Sequence, residues 1–188
     1  MEIKELELEG VKLIKPTVFQ DNRGFFTESY QRDAWLDAGI TIDFIQDNHS
    51  LSCETGVIRG LHFQVGEAAQ TKLVRVIAGA IFDVVVDIRK ESPTFKKWIS
   101  VVLKAGDHNQ LLVPKGFAHG FCTLQPNTEV LYKVDQLYNR DKERGIYWAD
   151  PSLNITWPLE NPVLSGKDEQ LPILEDVLSE LHEREGIL

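Results

Sequence analysis

Two short stretches, 56–64 and 114–121, hold residues of the types that move protons: Arg59 and His62 in the first, His119 in the second. Removing a weakly acidic hydrogen from carbon next to a carbonyl needs a base whose pKa lies near working pH, and histidine is the usual choice. His62 is the candidate base. The negative charge that then appears on the carbonyl oxygen is stabilised by a fixed ammonium in a poorly hydrated pocket, a role open to Lys72. Inverting a stereocentre also needs a proton returned to the opposite face, which the Tyr132 phenol can supply. Arg23 and Arg59 carry planar guanidinium groups that match a diphosphate bidentately. Each residue also has an ordinary reading. A strand histidine is commonly a hydrogen-bonded core residue, Lys72 and Arg59 could be solvated charges, and Tyr132 could be a half-buried aromatic supporting a sheet. Arg23 could be a turn residue and Asp168 a turn acid, and His119 is open to either a structural or a binding role.

The elements that must position these groups read as strands. Residues 73–77 and 81–88 are rich in β-branched side chains, and Gly79 between them reads as a hairpin. Further strands are expected at 98–103, 110–113, 120–124 and 130–134, separated by turn residues such as Ala105-Gly106-Asp107 and Gln125-Pro126-Asn127. Short strands in series without intervening helices predict an all-β jelly-roll sandwich or barrel with a few short peripheral helices. Those helices are expected at 32–38, ended by Gly39, and around Leu174, Val177, Leu178 and Leu181, which recur at helical spacing. The Phe25-Phe26 pair is expected in the core and the acidic tail helix as a solvated surface.

The 188 residues, 43% hydrophobic and 26% charged, fit one domain spanning 1–188, and no repeat, low-complexity tract or flexible linker marks a boundary. No apolar run approaches the ~20 residues that span a bilayer, and the charged start lacks a secretion signal, so a cytoplasmic location without membrane contact is expected. Cys53 and Cys122 read as unpaired buried thiols. A net charge of −9 argues against nucleic acid as partner, although the acidic excess gathers in the first ten residues and in 169–185, leaving room for a local basic pocket.

The two proton-handling stretches together resemble the two cupin motifs, in which histidines and a glutamate usually bind a metal. Here His62 keeps the first ligand position, Gln64 replaces the second histidine, Lys72 falls where the glutamate would be, and Pro-x-Gly-x-x-His ends at His119. A lysine ammonium repels a divalent cation, so a site without metal or other cofactor is expected. More specifically, residues 21–28, 46–50, 56–64, Lys72, 113–121, Tyr132, 155–158 and 164–168 occur in the order of the dTDP-4-dehydrorhamnose 3,5-epimerase family, over nearly the whole chain.

That resemblance implies roles the residues alone do not assign. His62 matches the proton acceptor, Tyr132 the proton donor, and Asp168 an acid that orients the histidine. Arg23, Glu28, Gln46, Asn48, Arg59, Lys72, His119, Glu143 and Lys167 match positions that hold a nucleotide sugar, and Tyr138 matches an aromatic that stacks on thymine. Arg23 and Glu28 would serve the neighbouring subunit of a homodimer. The implied activity is inversion of C3 and C5 in a dTDP-4-keto-6-deoxyhexose on the path to rhamnose. A mono-epimerase of a related sugar and a non-catalytic sugar-binding cupin are the alternatives.

Overall fold

The structure, a computed structural model, describes residues 1–184. Its strands are β1 (Glu2–Glu5), β2 (Lys12–Lys15), β3 (Val18–Asp21), β4 (Gly24–Thr27), β5 (Gln46–Ser52), β6 (Ile58–Gln64), β7 (Lys72–Ala78), β8 (Ala80–Asp87), β9 (Trp98–Lys104), β10 (Gln110–Val113), β11 (Phe117–Thr123), β12 (Thr128–Val134) and β13 (Glu143–Gly145), with helices α1 (Arg32–Asp37) and α2 (Leu174–Arg184). One sheet runs β1-β2-β10-β7-β12-β5, a second runs β13-β6-β11-β8-β9, and β3-β4 form a separate hairpin. The two large sheets pack face to face as a cupin-type jelly-roll sandwich, the expected all-β class.

Burial explains the strand chemistry. Val74, Leu111, Val113 and Val130 from the first sheet meet Ile81, Val85, Phe117 and Phe121 from the second, forming the core between them. The outer face of the second sheet is also covered: Leu61, Phe63, Val84, Val86 and Ala118 pack under Ile146, Trp157 and the apolar side of α2. Leu73, Leu112 and Ile14 on the outer face of the first sheet lie under Trp35 of α1 and Ile40. β8 is therefore buried on both sides, and its sequence is a nearly continuous apolar run rather than an alternating one. Each such side chain contributes about 1.5–3 kcal/mol on burial, and the ladder hydrogen bonds satisfy the backbone beneath them.

Five expectations are corrected. Gly79 is not a hairpin turn, because β7 pairs with β10 and β12 while β8 pairs with β11 and β9. It is the corner where the chain leaves one sheet for the other, at φ +78°, and a Cβ there would lie 2.3 Å from Thr128 Oγ1. Phe25 and Phe26 are 58% and 64% exposed, since β3-β4 forms a hairpin outside both large sheets, where Phe25 meets the His108 ring and Phe26 the Phe19 ring. The strand expected at 120–124 spans Phe117–Thr123. The acidic tail, described through residue 184, is solvated on one side only, because α2 buries Leu174, Val177 and Leu181. Cys122 is a buried free thiol as expected, whereas Cys53 is free but exposed. Among the described residues no helix is long and apolar enough to cross a membrane.

Candidate active site

The second sheet brings its chemistry inward through a bulge. β6 and β11 pair with His62 opposite His119 and Arg59 opposite Phe121, so three steps along β6 match two along β11. Residues three apart on a regular strand face opposite ways, and the extra residue returns both Arg59 and His62 to the inner side. Gly60 and Gly120 make the approach possible. A Cβ on Gly60, at φ +136°, would lie 2.5 Å from the Gly120 Cα, and one on Gly120 would lie 2.8 Å from the Arg59 carbonyl oxygen. From the facing sheet, Lys72, Val74, Tyr132 and Val130 alternate inward on β7 and β12. A cavity of about 480 Å³ results, lined by Arg59, His62, Lys72, His119, Tyr132, Lys167 and Asp168 among others.

His62 Nε2 lies 2.6 Å from Asp168 Oδ1. Burial alone would raise the Asp168 carboxyl, but the hydrogen bond and charge of His62, a bond from Ser165 and the nearby Lys167 outweigh it and hold the group below its ordinary range. An ionised carboxylate only accepts, so Nε2 donates and Nδ1 is left as the basic nitrogen. Asp168 is itself fixed by the Ser165 hydroxyl, which accepts its backbone N–H at 3.1 Å, at the start of a 3-10 turn. Burial pushes the Lys72 ammonium down to about 8 against the opposing charges of Asp83 and Glu143, and the ammonium donates to the His62 carbonyl oxygen at 3.1 Å. Burial raises Tyr132, with Arg59 lowering it and Glu143 adding to the rise, so the phenol stays protonated near neutrality. The cavity thus presents a base, a cation and an acid to one apolar-walled space, an arrangement suited to making and reprotonating an enolate.

The remaining expected residues divide into four groups. Arg59 and His119 line the cavity; Arg59 donates to the Ser52 hydroxyl and the Leu51 carbonyl oxygen, and His119 Nε2 lies 2.8 Å from Asp83 Oδ1. At its rim, Lys167 Nζ meets Glu143 Oε1 at 2.6 Å and the Tyr138 hydroxyl donates to Glu143 Oε2 at 2.8 Å. Burial tends to raise Glu143, but the bonds from Lys167 and Tyr138 hold it low. Gln46 and Asn48 sit on edge strand β5, hydrogen-bonded to each other at 2.8 Å, with Asn48 opposite Tyr132. Arg23 and Glu28 do not reach this cavity. Arg23 is 85% exposed and tied to Asp21.

Gln64, at a cupin ligand position, is turned to structural use: its amide donates to the Ala68 and Leu137 carbonyl oxygens and accepts from the Asn139 N–H. Among the described residues no group of three or more His, Cys, Asp or Glu side chains could hold a metal ion. Sequence reasoning missed Asp83, Ser165 and Ser50. Asp83 could have been found, because a charged residue inside a β-branched run is an anomaly that burial makes costly.

Comparison with known proteins agrees with this geometry. The sequence model of the dTDP-4-dehydrorhamnose 3,5-epimerase family matches residues 5–176. The dTDP-4-dehydrorhamnose 3,5-epimerase of Shigella flexneri is 50% identical over 169 residues, 89% of this chain and 93% of that one. Among solved structures, the epimerase of the same description from Bacillus anthracis, with TDP and PPi bound, is 54% identical with a TM-score of 0.90, covering 92% of this chain and 99% of that one. The dTDP-6-deoxy-D-glucose-3,5-epimerase from Legionella pneumophila, in complex with dTDP-4-keto-L-rhamnose, is 43% identical with a TM-score of 0.90 and 96% coverage of each chain. With its sequence matched over nearly its full length and its fold shared at that level, the chain belongs to the dTDP-4-dehydrorhamnose 3,5-epimerase family.

Proposed function

We propose that this chain inverts C3 and C5 of dTDP-4-dehydro-6-deoxy-D-glucose to give dTDP-4-dehydro-β-L-rhamnose, with His62 as base and Tyr132 as acid. The observation that carries the reading is that His62 and Tyr132 line one cavity from opposite sheets, with Lys72 beside them. His62 Nδ1 removes the hydrogen from carbon next to the C4 ketone, and the electron pair moves onto O4 as an enolate. The Lys72 ammonium stabilises that oxyanion. The enolate collapses as the Tyr132 phenol delivers its proton to the other face, and solvent returns the proton from His62 to the phenolate. C3 and C5 flank the same ketone, so reorientation of the sugar presents each to the same pair. Every step uses side chains, and the reading requires no metal or cofactor.

Arg59, His119, Lys167, Glu143, Gln46 and Asn48 hold the nucleotide sugar in this reading, and Tyr138 stacks on thymine. Arg23 and Glu28 act in a partner subunit: the β3-β4 hairpin that carries or adjoins them projects with Phe19, Phe25 and Phe26 exposed, which supports a homodimer built through that hairpin. The free thiols of Cys53 and Cys122 suit a reducing cytoplasm.

Proton NMR in deuterium oxide, with the purified protein and the 4-keto sugar nucleotide, tests the reaction. Exchange and inversion at both C3 and C5 are expected. Exchange at one carbon would make the chain a mono-epimerase, and exchange at neither would reduce it to a binding protein.

A further inference from the structure

Three carboxylates lie at or beside the cavity, and two of them are held by charged or polar side chains. Asp168 is bound to His62, and both oxygens of Glu143 are taken, one by Lys167 and the other by Tyr138. The third, Asp83, is wholly buried in the middle of β8. Its Oδ1 meets His119 Nε2 at 2.8 Å, while Oδ2 is, among the described residues, the only buried carboxylate oxygen without a hydrogen-bond partner. A buried carboxylate half satisfied in this way is costly unless nearby positive charge compensates it. Asp83 pairs across the sheet with Phe121 and touches His119, both of which line the cavity, together with the cations Lys72, Arg59 and Lys167, the His62 imidazole and the Tyr132 phenol. Of the cations, Arg59 is bound to Ser52 and Leu51 and Lys167 to Glu143. Lys72 donates to a neutral carbonyl oxygen, that of His62, and feels Asp83 as the larger of its two favourable charges.

We propose that Asp83 is a positioning residue of the site: it fixes the His119 ring beside His62 and supplies the negative charge that keeps the Lys72 ammonium in place to receive the enolate. His119 and His62 are direct cross-strand partners, so the second sheet presents two imidazoles side by side, each backed by a buried aspartate. The two pairs divide the labour. Asp168 directs a base, and Asp83 maintains the cationic wall opposite it. This inference rests on the epimerase reading for its purpose but not for its measurement.

The test is the titration of Lys72 in substrate-free protein, followed by NMR of lysine labelled at Cε and assigned by the resonance lost in Lys72→Arg. In Asp83→Asn, which keeps the shape and removes the charge, Lys72 is expected to titrate about one unit lower than in the parent. With substrate, kcat should fall about tenfold, KM should change little, and the alkaline limb of kcat/KM should move to lower pH by the same amount. Asp83→Glu should restore the titration. If Asp83→Asn does not fold, Asp83→Ser, which leaves room for water, is measured in the same way. A Lys72 titration identical to the parent's in a folded variant overturns the inference, as does an activity loss without movement of the alkaline limb, which marks a merely structural role. A parent that neither exchanges nor inverts the 4-keto sugar would instead overturn the epimerase reading, and the substrate-free titration would stand apart from it.

Discussion

Because Asp168 occupies Nε2 of His62, the proposed proton abstraction falls to the free Nδ1, and removing the imidazole should act on the transition state rather than on binding. His62→Ala is expected to lower kcat by about 10²–10⁴-fold with little change in nucleotide affinity, measured by single-turnover kinetics and calorimetry. Tyr132→Phe separates the half-reactions. His62 and Lys72 still form the enolate but return the proton to the face it left, so deuterium exchange should outpace inversion. Equal loss of both would assign Tyr132 a different role. Lys72 has two opposing effects. Turnover should fall as pH rises through about 8, where the ammonium loses its proton. Stability runs the other way: the unfolded lysine holds its proton up to its ordinary value of 10.5, so between these values the unfolded state binds more protons and stability rises with pH. At neutral pH both states are charged and the burial cost is fully present. Lys72→Met should therefore stabilise the protein by about 1–3 kcal/mol in urea melts while abolishing most activity.

Among the elements, the β6-β11 contact carries the precision of the site, and the end of β8 carries part of the stability. Gly120→Ala places a methyl against the Arg59 carbonyl oxygen and the Gly60 Cα, backbone atoms that cannot swing aside. A destabilisation of about 1–3 kcal/mol is expected, with kcat reduced because Arg59 and His62 flank the displaced segment. Asp87 closes β8 by accepting from the Arg89 N–H and guanidinium and from the Ser92 and Thr94 hydroxyls, and the guanidinium lies 4.4 Å over the Phe117 ring. Burial tends to raise Asp87, but those bonds bring it to about 2. Its stabilisation, about 2 kcal/mol, is present above its unfolded value of 3.8 and is lost as pH falls towards 2. Asp87→Asn should flatten the acid limb of the stability profile and cost little further below pH 2.

For the whole molecule, the exposed phenylalanines of the β3-β4 hairpin are the surface through which the proposed dimer would form. Phe19 and Phe26 lie 6.5 Å apart between ring centroids within the hairpin, and Phe25 meets the His108 ring outside it at 4.3 Å, contacts that leave all three phenylalanines largely exposed. Replacing Phe26 with Asp should shift the proposed dimer to monomer in light scattering and, by withdrawing Arg23 and Glu28 from the partner's cavity, raise KM more than it lowers kcat. A monomeric parent, or a monomeric variant with unchanged KM, would remove the hairpin from the site.

The strand class and both helices were legible in the chain because each depends on local composition, β-branched runs and helical spacing; His62 and Lys72 stand out as residue types rare in apolar stretches, whereas Tyr132 is singled out only by the family resemblance. Where the chain turns was less legible. Gly79 separates two apolar runs in a hairpin and at a sheet-to-sheet corner alike, and only the pairing partners of β7 and β8 distinguish them. Arg59 and His62 share a face through a bulge that three-residue spacing does not announce. Phe25 and Phe26 look like core residues by type, and their exposure follows from a hairpin that leaves the sandwich. Asp83 was visible as an anomaly, but its pairing with His119 and its free oxygen depend on which strand lies beside β8. Local preference dictates what each segment becomes, while the contacts between distant segments, which follow from burying both faces of the second sheet at once, decide which charges meet.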